Sequence, residues 1–292
     1  MFAPGIQRAA IIGDIGGQAT VFQHVMSDLG ADPDTLALPA GLAAVQVGDL
    51  VRAGVGTGLD NDACVRLAAR AAAANPGRWV QLWGNHDLAV LGGPCKPSWL
   101  AAPQVTSATR ERLRRWWEHR HALLAIGLRS RELGDVLVSH AGLTRGRWQA
   151  IAGPRTPAAA ADLLNRDVGQ PVARVIHGGS LTGTDPGADA AGADVTWAEV
   201  VEELYRPWLA AGDMPFNQIH GHAAPWNWST QDWWPTMTQE LRAATTVDPA
   251  TRRTTIFLTD SPCEQRLAVS VDWMLGDAPA SGTWPPLTVA LA

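Results

Sequence analysis

Val80-Gln81-Leu82-Trp83-Gly84-Asn85-His86-Asp87 begins as a short, mostly apolar run and stops in a glycine followed by an amide, an imidazole and a carboxylate. Glycine, asparagine and aspartate are common turn residues, so alone the stretch also reads as a turn. The rest of the chain decides between the two. Residues 9–12 end at Gly13-Asp14, residues 42–47 at Gly48-Asp49, residues 135–139 at His140-Ala141-Gly142, and residues 216–219 at His220-Gly221-His222. With residues 78–83 leading into Gly84-Asn85, five strand-like runs finish in a metal-capable side chain beside glycine.

Helix-like segments lie between these runs. Residues 62–74 are alanine-rich and stop at Asn75-Pro76-Gly77, and residues 107–124 place Leu113, Trp117 and Leu124 on one side. Strands alternating with helices predict an α/β sheet, whose functional loops gather outside the strands' C-terminal ends. Residues 254–258 and 267–271 read as two further strands. Residues 151–195, rich in Ala, Gly, Pro and Asp, read as a loop or lid inserted in one domain spanning 1–292.

Composition narrows the class. The chain has 292 residues, 46% of them hydrophobic and 17% charged, enough for a large core. No run approaches the ~18 apolar residues of a membrane span, and the N-terminus does not read as a signal peptide. Three cysteines without CxxC spacing argue against a disulfide framework and point to a reducing cytoplasm. A net charge of −5 gives no pull toward nucleic acid.

The ordered series GDIGG, GDLVRAG, GNHD, SHAG and HGHAA, spanning residues 11–222, resembles the calcineurin-like metallophosphoesterase superfamily. It is most similar to the bacterial serine/threonine phosphoprotein and diadenosine-polyphosphate phosphatase branch. The resemblance implies a β-sandwich of two facing sheets flanked by helices. It also implies metal-dependent hydrolysis of a phosphate ester or phosphoanhydride, on a phosphorylated small molecule or a phosphoprotein. Carboxylate, amide and imidazole ligands suit two divalent cations, Mn²⁺ first, with Fe or Zn²⁺ as the others. Asp14 would bind the first metal and Asp49 would bridge both. Asn85, His140 and His222 would complete the second, while His86 would protonate the leaving oxygen. Asn85 and His86 would achieve this from opposite sides of an extended backbone.

The chain departs from that pattern in three places. Gly16 stands where the family has a histidine, so Gln18, His24 or His220 would have to supply the missing ligand. Arg52 and Ala53 replace an aspartate that orients the acid and an arginine that grips phosphate. Arg52 would then grip phosphate from a shifted position, and Asp87 would orient His86. His177 competes with His140 for the fourth motif. These departures motivate an alternative, a catalytically impaired relative that binds a phosphorylated ligand or a protein partner. Trp226 and Trp228 read either as a stacking platform for a base or as packing, and Arg110, Arg112, Arg114, Arg115 and Arg120 as a polyphosphate attractor or a solvated helix face.

Overall fold

The computed structural model describes residues 2–53, 59–93, 95, 102–172, 193–259, 265–272 and 285–292. Every sequence-predicted strand is present within a residue or two of its expected place, except that the third is shorter. In chain order the elements are β1 (Arg8–Ile12), α1 (Ala19–Asp28), β2 (Leu42–Gln46), α2 (Asn61–Ala74), β3 (Trp79–Gln81), α3 (Asn85–Val90) and α4 (Ser107–Glu118). Then follow β4 (Ala125–Ser130), β5 (Gly134–Ser139), α5 (Arg145–Ala150) and α6 (Pro157–Leu164). A π-helical turn, Val200–Tyr205, runs into α7 (Arg206–Ala211). The remainder is β6 (Asn217–His220), the hairpin β7 (Trp226–Asn227) and β8 (Asp232–Trp233), α8 (Gln239–Ala243), β9 (Thr245–Asp248), β10 (Arg253–Phe257), β11 (Leu267–Ser270) and β12 (Leu287–Ala290).

Two sheets carry the architecture. One has the order β12-β1-β2-β3, parallel apart from β12, and the other β4-β5-β6-β11-β10-β9, with β5, β6 and β11 parallel. They face each other across an apolar layer in which Ile11, Val45 and Leu82 meet Val136, Val138, Ile219 and Val269. Alternate residues point the other way, where Ile12 and Ala44 join Phe22, Val25 and Val65 of α1 and α2. Burial on both faces explains why these strands read as apolar runs rather than as alternating patterns. The fold is therefore the α/β sandwich of two facing sheets flanked by helices.

Local chemistry fixes the helix ends. Asp60 caps α2 by accepting from the Ala63 amide at 2.7 Å, and Thr106 caps α4 by accepting from Thr109 at 3.3 Å. α4 stops at Glu118, short of the predicted 124, because Arg120 turns left-handed (φ 56°) and sends Leu124 toward β4. Among the arginines singled out on this segment, Arg114 is spent on Glu111 and Glu118.

The reading of 151–195 as a loop with little regular structure needs correction. Residues 157–164 form α6, capped by Thr156 and opened by Pro157, with Ala160 and Leu164 buried in the core. Its alanine-rich composition resembles a flexible segment, but the Thr-Pro start and the buried residues four apart are helical signals. His177, the rival to His140, lies outside the described residues. No helix among the described residues is long and apolar enough to cross a membrane.

Candidate metal centre

The loops after β1, β2, β3, β5 and β6 meet at one end of the sandwich. They are knitted by main-chain bonds: the amides of Ile15 and Gly16 donate to the Asp49 carbonyl, at 3.1 and 2.8 Å, and the Gly221 amide donates to that of His140 at 2.8 Å. The approach is so close that only glycine fits at two points. A side chain at Gly84 would place its Cβ 2.1 Å from Asp49 Oδ1, and one at Gly221 would come within 2.2 Å of Asp14 Oδ1. Asp49 (φ 52°) and His222 (φ 63°) both occupy the left-handed region, which costs a side-chain-bearing residue on the order of 1 kcal/mol.

His140 is fully buried, and its Nδ1 lies 3.0 Å from the Val47 carbonyl, which can only accept. The ring proton therefore sits on Nδ1 and Nε2 presents a lone pair. That lone pair faces Asn85 Oδ1 at 3.0 Å, His222 Nδ1 at 3.2 Å and Asp49 Oδ2 at 3.6 Å. Asn85 Oδ1 is also 3.1 Å from His222 Nδ1. Carboxylate, amide and imidazole atoms able to ligate a metal thus converge on one buried point. Asp49, His140 and His222 form the one group among the described residues with three such ligand atoms, all within 4.8 Å of one another. The set, with Asn85, fits a divalent cation of borderline character.

Electrostatics point the same way. Burial holds the His140 imidazole well below its usual pKa, and the nearby His222 adds to this. Burial also raises the Asp49 carboxyl well above the usual range, helped by the Asp87 charge and opposed by the His86 amide and the Arg52 charge. Asp14 adjoins the group, with Oδ1 3.8 Å from His140 Nδ1 and both oxygens accepting from the His222 amide at 3.1–3.2 Å. Its carboxyl is likewise raised by burial, then by the charges of Asp272 and Asp49. Buried carboxylates pressed together in this way require protons or a cation.

Asp272, just past β11, was not singled out in the sequence. Ser270 of β11 pairs in register with His220 of β6, so Asp272 lies at the same end of the sheet as His222. The cue was available, because the run 267–271 also ends in an aspartate; without a neighbouring glycine or histidine it did not stand out.

Other expected site residues are placed differently. Asn85 and His86 do not lie on an extended strand; they open α3, so their separation comes from helical rotation. Asp87 does not orient His86. Its Oδ1 accepts from the Val51 amide (3.2 Å) and its Oδ2 from Gly84 (3.1 Å), bracing the start of α3, and burial pushes its carboxyl up to about 7. His86 is oriented by the backbone instead: its Nδ1 accepts from the Ala53 amide at 2.9 Å, leaving the ring proton on Nε2, 3.8 Å from Asp49 Oδ2.

His220 is not among the converging ligands. Its Nδ1 lies 2.9 Å from the Gly221 carbonyl and its Nε2 2.8 Å from the Tyr205 hydroxyl, so both nitrogens are engaged within the core. Burial pushes its pKa down to about 4. His24 is exposed on α1. Among the described residues, the atom nearest to where a Gly16 side chain would begin is Arg52 Cδ, 4.0 Å from a Cβ there. Asn61 pins Arg52 by accepting from its amide at 2.9 Å and donating to its carbonyl at 3.1 Å. Trp228 is buried and donates to the Asp272 carbonyl, while Trp226 packs edge-on against Trp233 at 4.8 Å. The tryptophans described here thus act first as packing.

No family model and no curated protein matches the chain. Among solved structures it is similar to a cold-active protein tyrosine phosphatase, at 16% identity over 77% of this chain and 68% of that one, with a TM-score of 0.47. It is also similar to the cold-active protein tyrosine phosphatase of a psychrophilic Shewanella species, at 17% identity over 59% of this chain and 52% of that one, with a TM-score of 0.41. A proposed diadenosine tetraphosphatase aligns at 16% identity over 100% of this chain and 96% of that one, with a TM-score of 0.40. Likenesses this distant leave the functional reading to the site itself.

Proposed function

We propose that the chain is a metal-dependent phosphoesterase, hydrolysing a phosphate ester or phosphoanhydride in a phosphorylated small molecule or a phosphoprotein. The observation that carries this reading is the convergence of His140 Nε2, His222 Nδ1, Asn85 Oδ1 and Asp49 Oδ2 on one buried point. These four residues would hold one divalent cation, and Asp14, sharing Asp49, would serve a second beside it. Bound cations would supply Lewis-acid stabilisation of phosphoryl charge and activation of water.

The chain's own groups provide the rest. His86 has its side chain 18% exposed and carries its ring proton on Nε2, so it can donate to a phosphoryl or leaving-group oxygen. This differs from the role expected from sequence, an acid oriented by a carboxylate, since the Ala53 amide now sets the tautomer. Arg52, half-buried at the rim, offers a charge that phosphate oxygens accept well. The glycine loops exclude side chains from the pocket and hold the ligands in place before any cation arrives.

The test combines calorimetric titration with Mn²⁺ and turnover of p-nitrophenyl phosphate. Saturable binding with Mn²⁺-dependent turnover supports the proposal. A folded chain that binds neither Mn²⁺, Fe²⁺ nor Zn²⁺ and turns nothing over contradicts it. Saturable metal binding without turnover would favour the impaired, ligand-binding relative instead.

A further inference from the structure

Two glutamines occupy positions in the sandwich where packing would favour apolar side chains. Gln46 ends β2 and Gln81 ends β3; they are direct register partners, and both are buried. Neither hydrogen-bonds a converging ligand atom, yet their hydrogen bonds lead to the loops that carry those atoms. Gln46 Nε2 donates to the Gly13 carbonyl at 3.1 Å and to the Gly48 carbonyl at 2.7 Å, while its Oε1 accepts from the Gly48 amide at 3.0 Å. Gly13 immediately precedes Asp14, and Gly48 immediately precedes Asp49. One carboxamide therefore fixes the two points at which these carboxylate loops leave their strands.

Gln81 completes the arrangement. Its Nε2 donates to Gln46 Oε1 and to the Leu82 carbonyl at 2.9 Å, on the segment that leads to Gly84 and Asn85. Its own Oε1 is buried without a partner. A buried oxygen left unpaired is destabilising. Turning the amide over would pair nothing and would set two oxygens face to face, so this orientation is the one that holds Gln46.

Resting on the proposed metal centre, we infer that Gln46, aligned by Gln81, is a positioning residue that sets the separation of Asp14 and Asp49. An apolar residue of similar size would fill the same space and pack, but could not bridge the main chain of two loops. Partners behind metal ligands typically govern affinity by about 10–100-fold, through ligand placement rather than contact.

The test is Mn²⁺ titration of the full chain, comparing wild type with Gln46→Met and Gln81→Met, each checked for folding by circular dichroism. Gln46→Met should weaken Mn²⁺ binding about 10–100-fold while remaining folded, and Gln81→Met should weaken it less, by about 3–10-fold. A folded Gln46→Met chain that binds Mn²⁺ within about twofold of wild type overturns the inference, since a purely structural role alters stability and not the affinity of folded molecules. If Gln46→Met does not fold, Gln81→Met decides: weakened binding supports the inference and unchanged binding overturns it. A wild-type chain that binds no Mn²⁺ overturns the proposed metal centre itself, and this inference with it.

Discussion

His220 and His222 stand two residues apart, on either side of Gly221, and do opposite things. Around His220 each ring nitrogen meets a group of complementary sense, a hydroxyl that donates and a carbonyl that accepts. His222 Nδ1 instead converges with His140 Nε2 on Asn85 Oδ1, beside the Asp49 carboxylate. Its two partners tie His220 into the core, whereas convergence with Asp49, Asn85 and His140 makes His222 a candidate ligand. Both histidines interrupt the same apolar run, so spacing does not distinguish them. The groups each ring meets do.

That contrast can be attacked from either side. The largest effect belongs to the ligand pocket: His140→Gln should weaken Mn²⁺ binding about 100-fold or more, since one of four ligands is lost. Turnover of p-nitrophenyl phosphate at fixed Mn²⁺ should fall on the order of 1,000-fold. Wild-type titration and kinetics in this variant would break the comparison.

The His220 pocket should respond in stability and not in metal binding. The falling pKa of His220 sets the sign. Its folded value, about 4, lies below the ordinary 6.5, so the unfolded chain takes up the proton first as pH falls. Stability held by the neutral ring is therefore present above pH 6.5 and lost between about 6.5 and 4, by about 3 kcal/mol. Urea unfolding across that range should show a loss smaller by about this amount in His220→Gln. A parallel pH dependence in the variant would count against a buried, neutral His220.

Tyr205→Phe removes the donor to His220 and leaves a buried acceptor unpaired. It should cost about 1–3 kcal/mol in urea unfolding and leave Mn²⁺ affinity within about threefold of wild type. The smallest effect is expected from His24→Ala, on the exposed face of α1, where neither stability nor metal affinity should change measurably.

The strands and the ligand loops were legible because strands buried on both faces print as short apolar runs, and because each stops where a chemical residue begins. Asp14, Asp49, Asn85, His140 and His222 share that cue, and the structure gathers them at one end of the sandwich. What escaped were interactions between distant segments. Nothing local marks Ala53 as the residue whose amide sets the His86 tautomer, or Tyr205 as the donor that occupies His220. Asp87 looked like chemistry and is used to brace a helix start, because α3 begins directly after Gly84. α6 was hidden by composition, since alanine and proline read as linker until packing supplies the reason for a helix.

The most direct measurement is a side-by-side Mn²⁺ titration of His222→Gln and His220→Gln. His222→Gln should lose about 100-fold or more in affinity and His220→Gln no more than about fivefold. Equal losses in the two variants, or no loss in His222→Gln, would contradict the assignment of His222 as a ligand.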